Sequence, residues 1–224
     1  MLYFKRGHHH QFNKMETRIN VLLDLDNTLI NALEEPEREH VPLEFQNKFD
    51  YKDMVAYGMR VFARPGLQKF LDFLFANFNV SIFTAAEQEY AFFIVKNFIL
   101  TKPNRKIQYI FFRYHVDMGI KRYDGTKDLR LLFNVFNLPN FYPCNTVIID
   151  DLDEVEEANP YNTIRIKSFD VSKDDKLVYE SYQDNDLERV QAILEKANSK
   201  YMSSRCPLDI YYGRVPDQPS PLVL

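Results

Sequence analysis

The feature that most constrains the fold of this chain is the alternation of short apolar runs with segments of helical spacing. Runs of strand length occupy residues 18–25, 79–84, 109–112, 146–150 and 163–166. Between them, apolar residues recur at helical intervals, most clearly at Leu67, Phe70, Leu71, Leu74, Phe75 and Phe78. Strands that alternate with helices form parallel sheets covered on both faces. We therefore predict an α/β fold with a doubly wound, mainly parallel sheet.

The length of the chain suits one domain of ordinary size. It has 224 residues, of which 46% are hydrophobic, so a substantial single core can form. We predict an N-terminal arm at 1–17, a folded domain at 18–200 and a proline-rich C-terminal tail at 201–224. Residues 44–63 predict a small insert after the first strand. The last apolar pattern, at 187–197, predicts a terminal amphipathic helix.

The net charge and the cysteine content indicate which binding partners and which cellular compartment are compatible with this chain. The net charge of −4 argues against general nucleic-acid affinity, although a local basic groove stays compatible with it. The two cysteines, Cys144 and Cys206, lie far apart and form no disulfide framework, which is typical of a reducing compartment. No apolar stretch has the length of a membrane span, and no signal-peptide core is present. We expect an intracellular protein of the cytoplasm or nucleus.

Two acid pairs follow predicted strands. Asp24 and Asp26 flank one leucine at the end of the first strand, and Asp150 and Asp151 end the strand at 146–150. Burying a carboxylate without a partner is unfavourable, so a cation or a polar ligand is expected nearby. Ligands of parallel sheets bind beyond the carboxyl ends of the strands. The two acid pairs should therefore meet at one edge of the sheet.

Two further polar residues are expected at the same edge. Thr84 ends the strand at 79–84, and Lys127 lies in the segment "GTKDL", which we expect to open a helix. Each residue by itself is weak evidence for a functional site, because threonines often cap helices and lysines are mostly surface residues. The order of acid pair, threonine, lysine and acid pair predicts a phosphoryl-transfer site.

Competing interpretations of the first acid pair fit less well. A turn in which Asp24 bonds its own backbone is about as plausible on the local sequence alone. A calcium loop would use Asp24, Asp26, Thr28 and Glu35, but it requires glycine where this chain has Leu29. We therefore exclude the calcium loop and keep the turn as the alternative.

Other phosphatase and hydrolase nucleophiles are excluded by spacing. A cysteine phosphatase needs an arginine six residues after the cysteine, but Asp150 and Tyr212 stand there after Cys144 and Cys206. The chain has six glycines and neither a glycine-rich phosphate loop nor a G-x-S-x-G turn. Sites built on a cysteine phosphatase loop, a glycine-rich phosphate loop or a G-x-S-x-G turn therefore fit this chain less well.

The segments "DLDNT", "ARPGLQKFLDFL", "IFTAAEQEYA", "TKDLRLL" and "VIIDD" resemble the haloacid-dehalogenase superfamily. They are similar in particular to its branch of phosphatases acting on the RNA polymerase II C-terminal domain, the NLI-interacting-factor type. The resemblance covers roughly residues 18–197, and large DNA viruses are known to encode short relatives. It implies a Rossmann-like fold of the haloacid-dehalogenase type with a small insert after the first strand.

The resemblance implies a role for each acid. Asp24 would be the nucleophile that forms an aspartyl-phosphate, and Asp26 would be the general acid and base. Mg²⁺ would be bound by Asp24, the backbone carbonyl of Asp26 and Asp151. Asp150 would orient Lys127.

Substrate contacts also follow from the resemblance. The Thr84 hydroxyl and Lys127 would hold phosphoryl oxygens. Arg113 matches an arginine that binds the phosphosubstrate, and Tyr90 matches a tyrosine of a pocket for a substrate proline. Glu87 stands where related enzymes often carry an apolar residue of that pocket, which predicts a weaker preference for proline.

Three functions follow as hypotheses. The first is a Mg²⁺-dependent phosphatase of phosphoserine and phosphothreonine in proteins or peptides, with the RNA polymerase II tail as one candidate. The second is a phosphatase of the same superfamily acting on a nucleotide, a nucleic-acid end or a metabolite. The third is a non-catalytic binding module, which the complete set of candidate residues argues against. Asn27 replaces the usual glutamate of the first motif, but its side chain is not required for the chemistry.

Overall fold

The computed structural model describes residues 18–171 and 180–201. Its strands are β1 (Asn20–Leu23), β2 (Ile30–Glu34), β3 (Tyr51–Met54), β4 (Met59–Ala63), β5 (Asn79–Phe83), β6 (Ile110–Phe111), β7 (Thr146–Asp150) and β8 (Thr163–Arg165). Its α-helices are α1 (Glu35–Arg38), α2 (Leu43–Gln46), α3 (Leu67–Asn77), α4 (Gln88–Ile94), α5 (Arg113–Tyr123), α6 (Asp153–Ala158) and α7 (Asp186–Tyr201). Segments Val95–Ile99 and Leu131–Val135 are π-helical, and Val55–Tyr57 is a 3₁₀ turn.

The main sheet has five parallel strands in the order β6-β5-β1-β7-β8. β1 is central, and its residue Leu23 pairs with Ile82 of β5 and with Ile149 of β7. All four residues of β1 are buried, as expected for a strand covered on both faces. The predicted parallel α/β sheet is confirmed.

Alternate residues of β1 contribute to two hydrophobic clusters on opposite faces of the sheet. Val21 and Leu23 belong to the cluster that contains the apolar sides of α3 and α7. Leu22 belongs to the cluster that contains Val116 of α5 and Val155 of α6. Because side chains alternate along a strand, this division shows that helices cover both faces and the fold is doubly wound.

The insert after the first strand is a small antiparallel sheet. It has the strand order β2-β4-β3, and its hydrophobic cluster includes Leu33, Phe49, Phe62 and Phe169. The predicted insert is therefore confirmed, and it begins directly after the loop that carries the first acid pair. Its compact size leaves the carboxyl edge of the main sheet without a second large domain in the described part of the chain.

Some local features differ from the sequence pattern. α5 is an additional helix that buries only Val116 and Gly119, so its apolar periodicity is weak. Lys127 was expected where a helix opens, but it lies in a turn. The next helical segment starts three residues later, at Arg130. Among residues 18–171 and 180–201, no helix combines the length and apolar character needed to cross a membrane. The arm at 1–17 and most of the tail at 201–224 lie outside the described residues, so these boundaries stay predictions.

Candidate active site

A tight turn after β1 places the first acid pair. The backbone N–H of Asp24 donates to the carbonyl of Ile149 (3.1 Å), which keeps Asp24 in line with the sheet. The carbonyl of Leu25 accepts from the N–H groups of Leu29 (2.8 Å) and Ile30 (3.1 Å). Asn27 has a φ of 58°, a left-handed conformation that asparagine tolerates better than most residues. The asparagine at this position thus suits the turn that carries the two aspartates.

Lys127 joins the two acid pairs. Its Nζ donates to Asp24 Oδ1 (2.5 Å) and to Asp150 Oδ2 (2.6 Å), and its side chain is 1% exposed. Burial by itself would lower the pKa of Lys127, but the carboxylates of Asp24 and Asp150 outweigh burial and raise that pKa. The ammonium therefore stays charged and offsets part of the negative charge of the cluster.

Three carboxylates converge at this edge of the sheet. One oxygen of each of Asp24, Asp150 and Asp151 lies within 4.8 Å of the others. Burial raises the pKa of Asp151, and the nearby Asp24 adds to the effect. Burial also raises the pKa of Asp150, with Asp24 adding to it and Lys127 opposing it. Because one ammonium faces three carboxylates, a hard divalent cation such as Mg²⁺ fits this set of oxygen donors.

Asp26 is held by Tyr90. The phenolic O–H of Tyr90 donates to Asp26 Oδ1 (2.5 Å). Burial raises the pKa of Asp26 to about 6. The hydrogen bond from Tyr90 lowers this pKa, but its effect is smaller than that of burial. A carboxyl group with this pKa exchanges protons near neutral pH, as a general acid and base requires. The structure thus places Tyr90, predicted to bind substrate, in contact with Asp26.

Thr84 lies at the same edge. It follows β5, the neighbour of β1 in the sheet, and is 1% exposed. Its backbone N–H donates to the carbonyl of Phe111 (2.9 Å), and its Oγ1 accepts from the N–H of Ala86 (3.1 Å). These bonds fix the hydroxyl at the end of the strand next to the one that carries Asp24.

The other two predicted substrate residues pair with each other. Arg113 Nε lies 2.9 Å from Glu87 Oε1, and the two side chains are 52% and 74% exposed. The backbone N–H of Arg113 also donates to the carbonyl of Ala86 (2.9 Å), which ties the start of α5 to the loop after Thr84. The pair thus lies at the exposed end of the segment that carries Thr84.

Arg64 contacts the tight turn after β1, and the sequence pattern did not predict this contact. Its side chain is fully buried, and its Nη1 donates to the carbonyl of Thr28 (2.9 Å). Its Nε and Nη2 donate to the two carboxylate oxygens of Asp184 (2.8 and 2.7 Å). The sequence signals are an arginine directly after the buried residues of β4 and the place of that arginine in the segment "ARPGLQKFLDFL".

Comparisons with known proteins agree with this geometry. NLI interacting factor-like phosphatases match residues 19–205 as a family. The chain is 40% identical over 185 residues to the CTD phosphatase-like protein 355R of Invertebrate iridescent virus 6, covering 79% of this chain and 97% of that protein. It is 35% identical over 183 residues to the protein of the same description from Invertebrate iridescent virus 3, covering 78% and 94%.

A solved structure is similar in fold. The fission yeast RNA polymerase II CTD phosphatase Fcp1, bound to beryllium fluoride, superposes with a TM-score of 0.61 at 17% identity. The match covers 85% of this chain and 65% of that one, so this chain spans slightly less than two thirds of the solved protein. With the family match, the fold and the acid cluster all in agreement, the chain belongs to the NLI interacting factor-like phosphatases, a branch of the haloacid-dehalogenase superfamily.

Proposed function

We propose that this protein is a Mg²⁺-dependent phosphatase that hydrolyses phosphoserine and phosphothreonine in proteins through an aspartyl-phosphate on Asp24. One observation carries the proposal: Asp24 directly follows the central strand, pairs with the buried Lys127 and shares a site with two further carboxylates. Membership of a phosphatase family supports the reaction type. The viral relatives are described as CTD phosphatase-like, and the fission yeast protein of similar fold is an RNA polymerase II CTD phosphatase, so the RNA polymerase II C-terminal domain is one candidate substrate.

The residues divide the reaction into two balanced steps. A carboxylate oxygen of Asp24 attacks phosphorus while the bond to the serine or threonine oxygen breaks, and Asp26 gives that oxygen its proton. Asp26, now ionised, then takes a proton from water as the water oxygen attacks the aspartyl-phosphate. Asp24 is regenerated, and phosphate leaves. The raised pKa of Asp26 suits both directions of proton transfer.

The remaining polar groups act on the phosphoryl oxygens and on the cation. Lys127 and the Thr84 hydroxyl are suited to hold phosphoryl oxygens, on which charge builds during transfer. Asp24, Asp151 and the backbone carbonyl of Asp26 would hold Mg²⁺. When bound, this cation neutralises part of the carboxylate charge and polarises a phosphoryl oxygen.

The size of the insert supports a macromolecular substrate. The insert is a three-stranded sheet, and the Tyr57 hydroxyl, between β3 and β4, donates to Glu89 of α4 (2.6 Å). An exposed phosphoserine or phosphothreonine in a flexible segment can reach such an edge. We therefore place phosphoproteins ahead of metabolites as the substrate class.

The substitution Asp24→Asn tests the reaction. It keeps the shape of the side chain and removes the nucleophilic charge, so hydrolysis of p-nitrophenyl phosphate with Mg²⁺ should fall at least about 10³-fold. Asp53→Asn, which changes a carboxylate on the insert, is the matched control and should keep the wild-type rate. Circular dichroism and thermal unfolding of both variants check the fold. If Asp24→Asn retained most of the wild-type rate, Asp24 would not be the nucleophile.

A substrate panel tests the substrate class. Phosphoserine and phosphothreonine peptides, nucleotides and 5′-phosphorylated oligonucleotides should be compared by kcat/KM under the same Mg²⁺ concentration. We expect the phosphopeptides to give the highest values. A preference for nucleotides or nucleic-acid ends would contradict the protein substrate, and a wild type inactive on every compound would favour a binding module.

A further inference from the structure

Lys127 is held at both of its ends by one short chain segment, residues 150–159. At the side-chain end, its Nζ donates to Asp150 Oδ2 (2.6 Å). At the backbone end, Asn159 Nδ2 donates to the Lys127 carbonyl (3.1 Å), and Asn159 Oδ1 accepts from the N–H of Leu129 (2.9 Å). The Asn159 amide therefore binds the chain on either side of Asp128.

The backbone at Lys127 needs such support. Its φ is 50°, in the left-handed region that side chains other than glycine, asparagine and aspartate rarely occupy. A residue in this conformation persists where the surrounding contacts hold it there. The hydrogen bonds to the Lys127 carbonyl and to the Leu129 N–H are contacts of this kind.

The amide of Asn159 is itself fixed. Asn159 is 5% exposed, and its Nδ2 also donates to the carbonyl of Val155 (3.0 Å) within α6. The turn that carries Lys127, which we call the lysine turn, packs closely on the end of the same helix. A Cβ added to Gly125 in this turn would lie 3.1 Å from the Cβ of Ala158. The turn has little space in which to shift against α6.

From these contacts we infer that Asn159 is a positioning residue, which sets the reach of the Lys127 ammonium between Asp24 and Asp150. α6 begins three residues after Asp150 and ends at Ala158, directly before Asn159. The second acid pair and the lysine turn are thereby joined as one unit. The inference builds on the proposed phosphatase function, because its consequence is the placement of Lys127 against the nucleophile and the phosphoryl group.

A double-mutant cycle tests this role. Asn159→Ala should lower kcat on p-nitrophenyl phosphate about 10- to 100-fold, the usual range for a displaced catalytic group, with a smaller change in KM. The double variant Asn159→Ala with Lys127→Ala should be no slower than Lys127→Ala alone, because the amide acts through the lysine. If the two losses multiplied, Asn159 would not act through Lys127, and the inference would fail.

Two further variants separate positioning from stability. Asn162→Ala removes a similar amide, whose Nδ2 donates to the carbonyls of Pro143 and Thr146 (both 2.7 Å) away from Lys127. It should lower the unfolding temperature and leave kcat close to wild type. Asn159→Asp keeps an oxygen that accepts from the Leu129 N–H but loses the N–H group that donates to the Lys127 carbonyl. Its kcat should therefore be lower than that of the wild type. Wild-type kcat in Asn159→Asp would overturn the contact we assign.

Amine labelling provides a readout that needs no turnover. Lys127 is 1% exposed, so an acylating reagent followed by peptide mass spectrometry should modify it slowly in the wild type and in Asn162→Ala. Asn159→Ala should raise the labelling of Lys127 relative to the other lysines. Unchanged labelling would contradict the inference. An inactive wild type would contradict only the proposed function and leave the labelling to decide the role of Asn159.

Discussion

At the scale of single residues, Asp150 and Asp151 have different surroundings although they are neighbours. Asp150 is fully buried, with Oδ2 accepting from Lys127 and Oδ1 accepting from the N–H of Leu152 (3.0 Å). Asp151 is partly exposed and lies 3.4 Å from the hydroxyl of Thr28. The two carboxylates nevertheless lie close together, because one oxygen of each is within 4.8 Å of the other and of an oxygen of Asp24. Asp150 is therefore the carboxylate that pairs with Lys127, and Asp151, the more exposed of the two, is the one that we assign to the proposed cation site.

This difference predicts different metal dependence for the two alanine variants. Asp151→Ala should raise the Mg²⁺ concentration needed for half-maximal phosphatase activity more than Asp150→Ala does. Asp150→Ala should instead lower the rate at saturating Mg²⁺, because Lys127 loses one of its two carboxylate partners. Titration of activity with Mg²⁺ measures both effects. Full wild-type activity in excess EDTA would disprove the metal requirement itself.

The exposed pair of Glu87 and Arg113 predicts a change in peptide preference. Glu87→Leu should raise kcat/KM on a phosphopeptide with proline beside the phosphoserine, relative to a matched peptide with lysine. A shift of about two- to fivefold is expected, because exposed ion pairs contribute little. Glu87→Gln is the control: it removes the charge without adding apolar contact, so only the lysine preference should fall. The same peptide ranking in all three proteins would mean that Glu87 does not contact the substrate.

At the scale of secondary structure, the start of α5 depends on a histidine. The N–H of Phe112 donates to His115 Nδ1 (3.1 Å), and the imidazole packs edge-on against Phe111 and Phe112. This contact fixes the first turn of the helix, which presents Arg113. Burial lowers the pKa of His115, and the contact between its Nδ1 and the carbonyl of Phe112 (3.3 Å), which favours the protonated ring, opposes this effect.

The lowered pKa predicts how stability changes with pH. In the unfolded chain His115 has the ordinary histidine pKa of about 6.5. In the folded protein its pKa is lower, so it becomes protonated only at a lower pH. Below about pH 6.5 the unfolded state binds more protons, so the folded state loses stability as the pH falls. His115→Phe keeps an aromatic ring and removes the titration. The free energy of unfolding of the wild type minus that of His115→Phe should decrease from about pH 7 to about pH 5.

Urea unfolding of both proteins across this pH range measures the difference. Comparing the two proteins at each pH removes the contributions of the other titrating groups, which they share. A difference that stays constant with pH would show that His115 has the same pKa in the folded and unfolded states.

At the scale of the whole molecule, Arg64 connects parts that are distant in sequence. It follows the last strand of the insert, donates to the Thr28 carbonyl in the tight turn after β1, and pairs with Asp184, which lies just before α7. The guanidinium is fully buried, so its charge depends on these partners rather than on water. The insert, the main sheet and the terminal helix therefore share one polar junction.

Removal of the partner carboxylate should destabilise the whole fold. Asp184→Ala leaves a buried arginine without its carboxylate, and we expect a loss of about 3 kcal/mol in the free energy of unfolding. Glu188→Ala breaks the exposed contact between Glu188 and Lys69 (3.7 Å) and serves as the control, with a change below about 0.5 kcal/mol. Denaturant unfolding of the two variants and the wild type measures both values. Equal losses would argue against a structural role for the junction.

The sequence by itself determined the features that depend on local pattern. Apolar spacing predicted the strands of the main sheet and the amphipathic helices α3 and α7, because burial of one side follows from periodicity alone. The rule for the carboxyl ends of parallel strands brought Asp24, Thr84 and Asp150 to one edge, where the structure places them. The small insert was likewise predicted from its position in the chain.

Only the tertiary structure decided the contacts between residues that are far apart in the chain. The hydrogen bond from Lys127 to Asp24 joins residues separated by 103 positions, and that from Arg64 to Asp184 joins residues separated by 120. The left-handed turn at Lys127 depends in the same way on Asn159, 32 positions away. Periodicity and motif spacing indicate only which residues of each segment are buried. The hydrogen-bond partners of residues far apart in the chain depend on how the complete fold packs, and no local sequence pattern contains that information.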